Sequence, residues 1–251
     1  MTDRPTILVP IRVLEGETLP EGIPELLANA HVVLLGYHVV PDQTAPGQAR
    51  MQFEERATDR LDEFETILED AGATVERRLV FTHEKQQTLD RMIAEHDCLA
   101  VLVPNATKPP EDVLVAVRGT VGADRLARVV AGLFANTGIR VTLYHLVEED
   151  ETDEDAALLL EGVADRIVEL GMDSEAVDLL IEHAEKPRES IADAATEYDT
   201  IVIGESEPSL VTFVFGMTAD EVAEQFLGPV IVVQRQKPTA DADVNAQADR
   251  E

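Results

Sequence analysis

Short runs of branched apolar residues alternate along this chain with longer segments that are apolar on one face only. Such runs predict strands, and apolar residues recurring every three to four positions predict helices. "TILVPI" predicts a strand over about 6 to 11. A short, poorly formed helix is expected near Ile23 to Ala30, after the Pro- and Gly-rich "LPEGIPE". A second strand follows at about 31 to 40, then a long amphipathic helix over about 49 to 71 that stops before Gly72. A third strand (about 74 to 81), a helix (about 84 to 96) and a fourth strand (about 98 to 103) complete the first half. "PNATKPPED", Pro104 to Asp112, then interrupts the pattern, because its three prolines continue neither a helix nor a central strand.

After this linker the alternation resumes more regularly. Strands are expected at about 112 to 118, 139 to 147, 176 to 182 and 200 to 204. Helices are expected at about 122 to 136, 153 to 171 and 187 to 197. "VIGESEPSLVTFVFGMTADEVAEQF" supplies a polar elbow and a further helix, and "PVIVVQ", Pro229 to Gln234, a last strand. The Ala-, Asp- and Gln-rich tail from Lys237 is expected to be disordered. Alternating strands and helices predict an α/β fold with parallel sheets and right-handed crossovers. Its ligands would sit at the carboxyl ends of the strands, where strand order reverses.

The halves echo one another. "ILVPIR" resembles "VLVAVR", which matches Arg12 to Arg118; "YHVV" at Tyr37 resembles "YHLV" at Tyr144; "EHDCLAVLVP" resembles "EYDTIVIG". Three matches in the same order read as an internal duplication.

Composition changes the picture in one respect. There are 50 acids against 20 bases, a net charge of −30. Self-repulsion on this scale destabilises a compact chain at low salt and is screened at high salt. The expectation is a halophile's cytoplasmic protein. The charge excludes binding to nucleic acid or to anionic membrane. No apolar run is long enough to span a bilayer, and the N-terminus has no signal-peptide pattern. The single cysteine, Cys98, falls in an apolar run and reads as a buried hydrophobe.

The opening "ILVPI", the strand-ending "YHVV" and "YHLV", and above all "IVIGE…GMTADEVAEQFLGPVIVVQ" resemble the universal stress protein (UspA-like) family. The chain is similar to a tandem-repeat member of haloarchaeal type. The resemblance implies tandem flavodoxin-like or Rossmann-like domains, of the adenine nucleotide alpha hydrolase type, each with parallel strand order 3-2-1-4-5. It divides the chain into a degenerate repeat over 1–104, lacking its fourth helix and fifth strand, a linker over 105–111, a complete repeat over 112–235 and an acidic tail over 236–251.

ATP-binding members of the family close strand 1 with Asp and carry G-x2-G-x9-G-[ST] after strand 4. Here Gly204 and Gly216 match the first and third glycines. Glu207 stands at the second glycine, the spacing is one residue short, Met217 stands at the Ser/Thr position with Thr218 next, and Arg118 stands at the Asp, as Arg12 does in the first repeat. A carboxylate near a phosphate opposes binding, and no Lys or Arg lies between Arg188 and Arg235. The resemblance therefore implies a regulatory or interaction module, not an enzyme, with no cofactor. The alternative is an ATP-binding, slowly hydrolysing sensor using Mg²⁺, with the nucleotide against Gly204, Gly216, Thr218, Arg118 and Val147. The elbow is also similar to domains fused behind amino-acid transporters, which implies a transporter as a possible protein partner.

Three further motifs read structurally. "TADE" at Thr218–Glu221 is a capping box. His38 and His145 lack neighbours at zinc-ligand spacing. "EEDETDED" lacks the glycine of a calcium loop and suits the start of the next helix. Arg118 is expected to pair with Glu205 or Glu207 and close the site. "PVIVVQ" is expected at a sheet edge, where pairing across a two-fold would make a homodimer through 229–234.

Overall fold

Runs that are apolar on both faces become strands covered on both faces. In a computed structural model, which describes residues 3–16, 18–105, 107–120, 122–147, 151–183, 194, 196–204 and 228–235, these runs form nine strands. The first half comprises β1 (Thr6–Arg12), α1 (Ile23–Leu26), β2 (His31–Val39), α2 (Pro46–Asp70), β3 (Thr74–Thr82), α3 (Lys85–Glu95) and β4 (Ala100–Val103). The second comprises β5 (Asp112–Ala116), α4 (Ala123–Phe134), β6 (Arg140–Val147), α5 (Asp153–Glu169), β7 (Val177–His183), β8 (Thr200–Gly204) and β9 (Val230–Val233). The expected helix over 187–197, the elbow, the "TADE" box and the tail fall largely or wholly outside the described residues.

All nine strands join one sheet, in the order β3-β2-β1-β4-β9-β8-β5-β6-β7. Every neighbouring pair is parallel except β4 with β9, which is antiparallel. The strands of the two halves therefore run in opposite directions, and their carboxyl ends lie on opposite edges of the sheet. This corrects the expected dimer contact. β9 is not an edge: it pairs with β8 on one side and with β4 on the other, so no side of residues 230–233 is left for a second copy. The reason lies in its sequence. All four residues of "VIVV" are buried, and an all-apolar strand belongs in a sheet's interior.

The helices divide between the faces as crossover geometry requires. α1, α2, α4 and α5 cover one face through a single apolar cluster that includes Ile7, Val9, Leu61, Phe64, Val115, Leu133, Ile167 and Ile231. α3 covers the other face of the first half, with Leu89 and Met92 against Leu8, Val33 and Val101. On that same face of the second half, Leu114, Tyr144, Ile203 and Val232 form a third cluster.

The expected linker is built into the seam. Asn105 Nδ2 donates to Gly228 O at 3.1 Å, and Thr107 Oγ1 to Asp199 O at 3.2 Å. Asp199 Oδ2 accepts from the amides of Glu111 and Asp112 at 2.9 and 3.2 Å, and Lys108 Nζ stands 3.4 Å from Asp199 Oδ1. Gly22 takes φ 81 because the linker crosses directly over it; a Cβ there would lie 2.6 Å from Thr107 O. Across the seam Asn29 Nδ2 donates to Leu133 O at 3.0 Å. Among the described residues no helix is long and apolar enough to cross a membrane.

Candidate functional site

Strand order in the second half reverses between β5 and β8, so the carboxyl ends of β5, β6 and β8 define the candidate crevice. Three of the expected site residues lie at this edge. Gly204 ends β8, Val147 ends β6, and Arg118 follows β5. The expected strand over 112–118 stops at Ala116, because the chain turns at Gly119, whose φ is 75. Arg118 is accordingly exposed on the lip, where it has at least one polar or charged partner. Gly216 and Thr218, with Glu205, Glu207 and Met217, lie outside the described residues.

Between β5 and β6 the lip is tied by a residue that sequence reasoning left without a role. His145 is 3% exposed. Its Nδ1 lies 2.7 Å from Val117 O, and its Nε2 lies 2.7 Å from Glu151 Oε2. Both partners are acceptors. A neutral imidazole has only one N–H to give, so satisfying both contacts takes one further proton, on the ring or on Glu151. The pair links the end of β5 to the segment entering α5. Tyr144, one residue earlier, faces the opposite side of the sheet. Its hydroxyl donates to Glu182 Oε2 at 2.8 Å, and burial together with Glu182 pushes the phenol up from its ordinary range.

The acidic run ahead of α5 has the helix-starting role expected of it. Asp153, Glu154 and Asp155 occupy the first turn. Thr152 Oγ1 accepts from Asp155 N at 3.2 Å while Asp155 Oδ2 accepts from Thr152 N at 3.3 Å. The Thr152 hydroxyl also donates to Asp155 Oδ2 at 2.6 Å, and that bond together with the one from the Thr152 amide holds the Asp155 carboxyl below its ordinary range. This capping box is distinct from the one read at Thr218–Glu221, and its signal, Thr followed three residues later by Asp, was in the sequence. Burial pushes the Cys98 thiol up to about 12, so it behaves as a hydrophobe. Among the described residues no group of three or more His, Cys, Asp or Glu could hold a metal ion.

Strand register gives Arg12 and Arg118 different neighbours. Arg12 lies opposite Tyr37 in the β1–β2 ladder. The residue opposite Tyr144 in the β5–β6 ladder is Ala116. Taking the two Tyr-His pairs as reference, Arg12 corresponds to Ala116, and Arg118 stands two residues further out. Arg12 instead ends β1, with its Nε–H donating to Tyr37 OH at 3.1 Å.

Comparison with known proteins gives this arrangement its context. Residues 110–234 match the model of the universal stress protein family. The fold is similar to that of a universal stress protein from Archaeoglobus fulgidus DSM 4304, with TM-score 0.62 and 17% identity over 92% of this chain and 97% of that one. It is similar to a putative universal stress protein from Pseudomonas aeruginosa UCBPP-PA14, with TM-score 0.50 and 18% identity over 98% of each chain. The cytoplasmic domain of a prokaryotic cation chloride cotransporter also matches, with TM-score 0.50 and 10% identity over 95% of this chain and 99% of that one. At these identities the likeness concerns the fold. No curated protein matches the chain.

Proposed function

With a universal stress protein domain over residues 110–234 as the premise, we propose that the chain is a non-enzymatic regulatory or interaction module, built as two halves in tandem. The observation that carries this reading is the tied lip. His145, joined to Val117 O and Glu151 Oε2 at 2.7 Å each, fills the space between the ends of β5 and β6 with the chain's own groups. A ligand entering there has to displace these two hydrogen bonds, one buried and one partly buried. The sequence of the elbow agrees: Glu207 and Met217 replace a glycine and a hydroxyl, and Arg118 replaces an aspartate. One carboxylate about 4 Å from a phosphate costs about 1 to 4 kcal/mol, depending on the effective dielectric. The net charge of −30 suits a chain that works at high salt, in the cytoplasm of a halophile.

Calorimetric titration with ATP and Mg²⁺ in molar salt tests the reading. The expected outcome is no saturable heat from the wild type, and a change in stability but in no small-molecule affinity for Arg118→Ala. Saturable binding in the micromolar range, weakened in that variant, overturns it. The second reading, an ATP-binding sensor, is favoured by Gly204 at the end of β8 and by Gly216 and Thr218 in the elbow sequence. A partnership with a transporter draws support from the cotransporter domain's similar fold. Direct binding of the purified chain to the soluble domain of an amino-acid transporter would bring it forward.

A further inference from the structure

Several described cations pair along helix surfaces, as Arg50 does with Glu54, Arg91 with Glu95 and Arg166 with Glu169. One grouping is built differently, on the edge of the sheet opposite the second-half crevice. Arg12 ends β1, and strand order in the first half reverses between β1 and β4, so Arg12 stands at that half's own switch point. Its Nε–H donates to the hydroxyl of Tyr37, which is 5% exposed. Lys85, the first residue of α3, places its Nζ 5.7 Å from the centre of the same ring. α3 starts at this edge, and its N-cap, Glu84, supplies no side-chain cap to the first-turn amides. Glu15, in the turn directly after β1, brings Oε2 to 2.9 Å from Arg12 Nη1. Arg12, Tyr37 and Lys85 each have further partners as well.

A chain of net charge −30 repels anions from nearly its whole surface. Here a guanidinium and an ammonium both meet one phenol, at its hydroxyl and over its ring, and a carboxylate of the chain already occupies the guanidinium. Arg presents a planar fork that matches two oxygens of a carboxylate or phosphate, Lys adds a point charge, and the phenol oxygen holds the fork in orientation. We propose that Arg12, Tyr37 and Lys85 form a seat for a small oxyanion, carboxylate or phosphate, in which Glu15 is the resident stand-in. An arriving anion takes the Arg12 fork and releases Glu15. The turn from Val13 to Gly16 then keeps only its backbone tie to β1, from Glu15 N–H to Arg12 O at 3.3 Å, which gives the first half a ligand-dependent surface. This seat is independent of the second-half crevice and of whether that crevice takes a nucleotide.

The test follows backbone amide resonances of the full chain in molar sodium chloride, while sodium acetate in one arm and sodium phosphate in the other replace chloride at constant ionic strength. Saturable shifts confined to residues around 12 to 16, Tyr37 and Lys85 are expected in at least one arm, and the responding arm assigns the class of anion. Glu15→Gln removes the competing carboxylate and tightens binding by about fivefold, the scale of an exposed ion pair. Lys85→Gln, at a partly exposed surface position, weakens it by a similar factor, and Arg12→Gln abolishes it. Shifts that are diffuse and unsaturated in both arms overturn the proposal, as do affinities in Glu15→Gln and Lys85→Gln that equal the wild type's.

Discussion

The two halves end their second strands with the same Tyr-His pair and use it in opposite ways. In the second half Tyr144 lies opposite Ala116, and His145 is buried between a backbone carbonyl and a carboxylate. In the first half Tyr37 lies opposite Arg12, two residues later along its strand than Ala116 once "ILVPIR" and "VLVAVR" are aligned. His38 there stands edge-on to Phe53 and Phe81, with ring centres 6.2 and 6.1 Å away, and its buried Nδ1 has no hydrogen-bond partner among the described residues. A shift of two residues keeps each side chain on its own face, because strand faces alternate with period two. It changes only which neighbour each residue meets, and that is enough to turn a clasp into an aromatic contact. The halves also differ at the seam. The second half carries a fifth strand, the first does not, and β9 serves both.

Damage to β9 gives the largest expected effect. Ile231 is fully buried in an apolar cluster that crosses the seam. Ile231→Ala should destabilise the chain by about 2 to 5 kcal/mol, the range for deleting a buried aliphatic side chain. Because β9 pairs with both halves, they should lose structure in one transition. Denaturation at fixed molar salt, followed by far-ultraviolet circular dichroism and by tyrosine fluorescence, checks this. Two separated transitions, one half outlasting the other, would show that the shared strand does not couple them.

The Tyr-His pairs come next. His145→Ala leaves Val117 O and a partly buried Glu151 without their imidazole, which should cost about 1 to 3 kcal/mol. His38→Ala removes a ring whose buried nitrogen makes no hydrogen bond, and should cost about half as much or less. The denaturation midpoints of the two variants give the comparison directly. Equal losses would mean that the clasp contributes no more than ring packing does.

Much of the fold was legible because its signal is local. The apolar runs marked all nine strands, and Gly72 and the prolines after Val103 marked ends that the structure keeps. Pairing across the seam was not legible. A strand's sequence says that it is buried on both faces, and "VIVV" said so, but it does not name the neighbours. The sheet-edge assignment for β9 came from a fold with one sheet per repeat, and it failed because the first half supplies β4 as a partner. Register was lost for the same reason. Arg12 and Arg118 match as letters, but the letters do not say that Tyr37 faces Arg12 while Tyr144 faces Ala116. At the site, Gly204, Val147 and Arg118 could be placed at strand ends from the sequence. The bond between His145 and Glu151 could not, because the seven carboxylates of the acidic run gave no reason to prefer one over the others.

The smallest expected effect tests the halves where their sequences match as "EHDC" and "EYDT". Cys98 and Thr200 are both buried. The thiol is a weak donor that burial costs little, and its Sγ lies 3.9 Å from Met92 O. The hydroxyl of Thr200 is a strong hydrogen-bonding group, fully buried, with no partner among the described residues. Removing a buried, unpaired polar group while keeping its shape recovers its desolvation cost, so Thr200→Val should stabilise the chain by about 1 kcal/mol. The matching change in the first half, Cys98→Val, removes no such penalty and adds a methyl group to a filled core, so it should be neutral or destabilising. A rise in denaturation midpoint for Thr200→Val alone would mean that the second half carries a polar strain at the base of β8 which the first half lacks. A fall would mean that the hydroxyl is satisfied in solution, and the two halves would then be alike at this position.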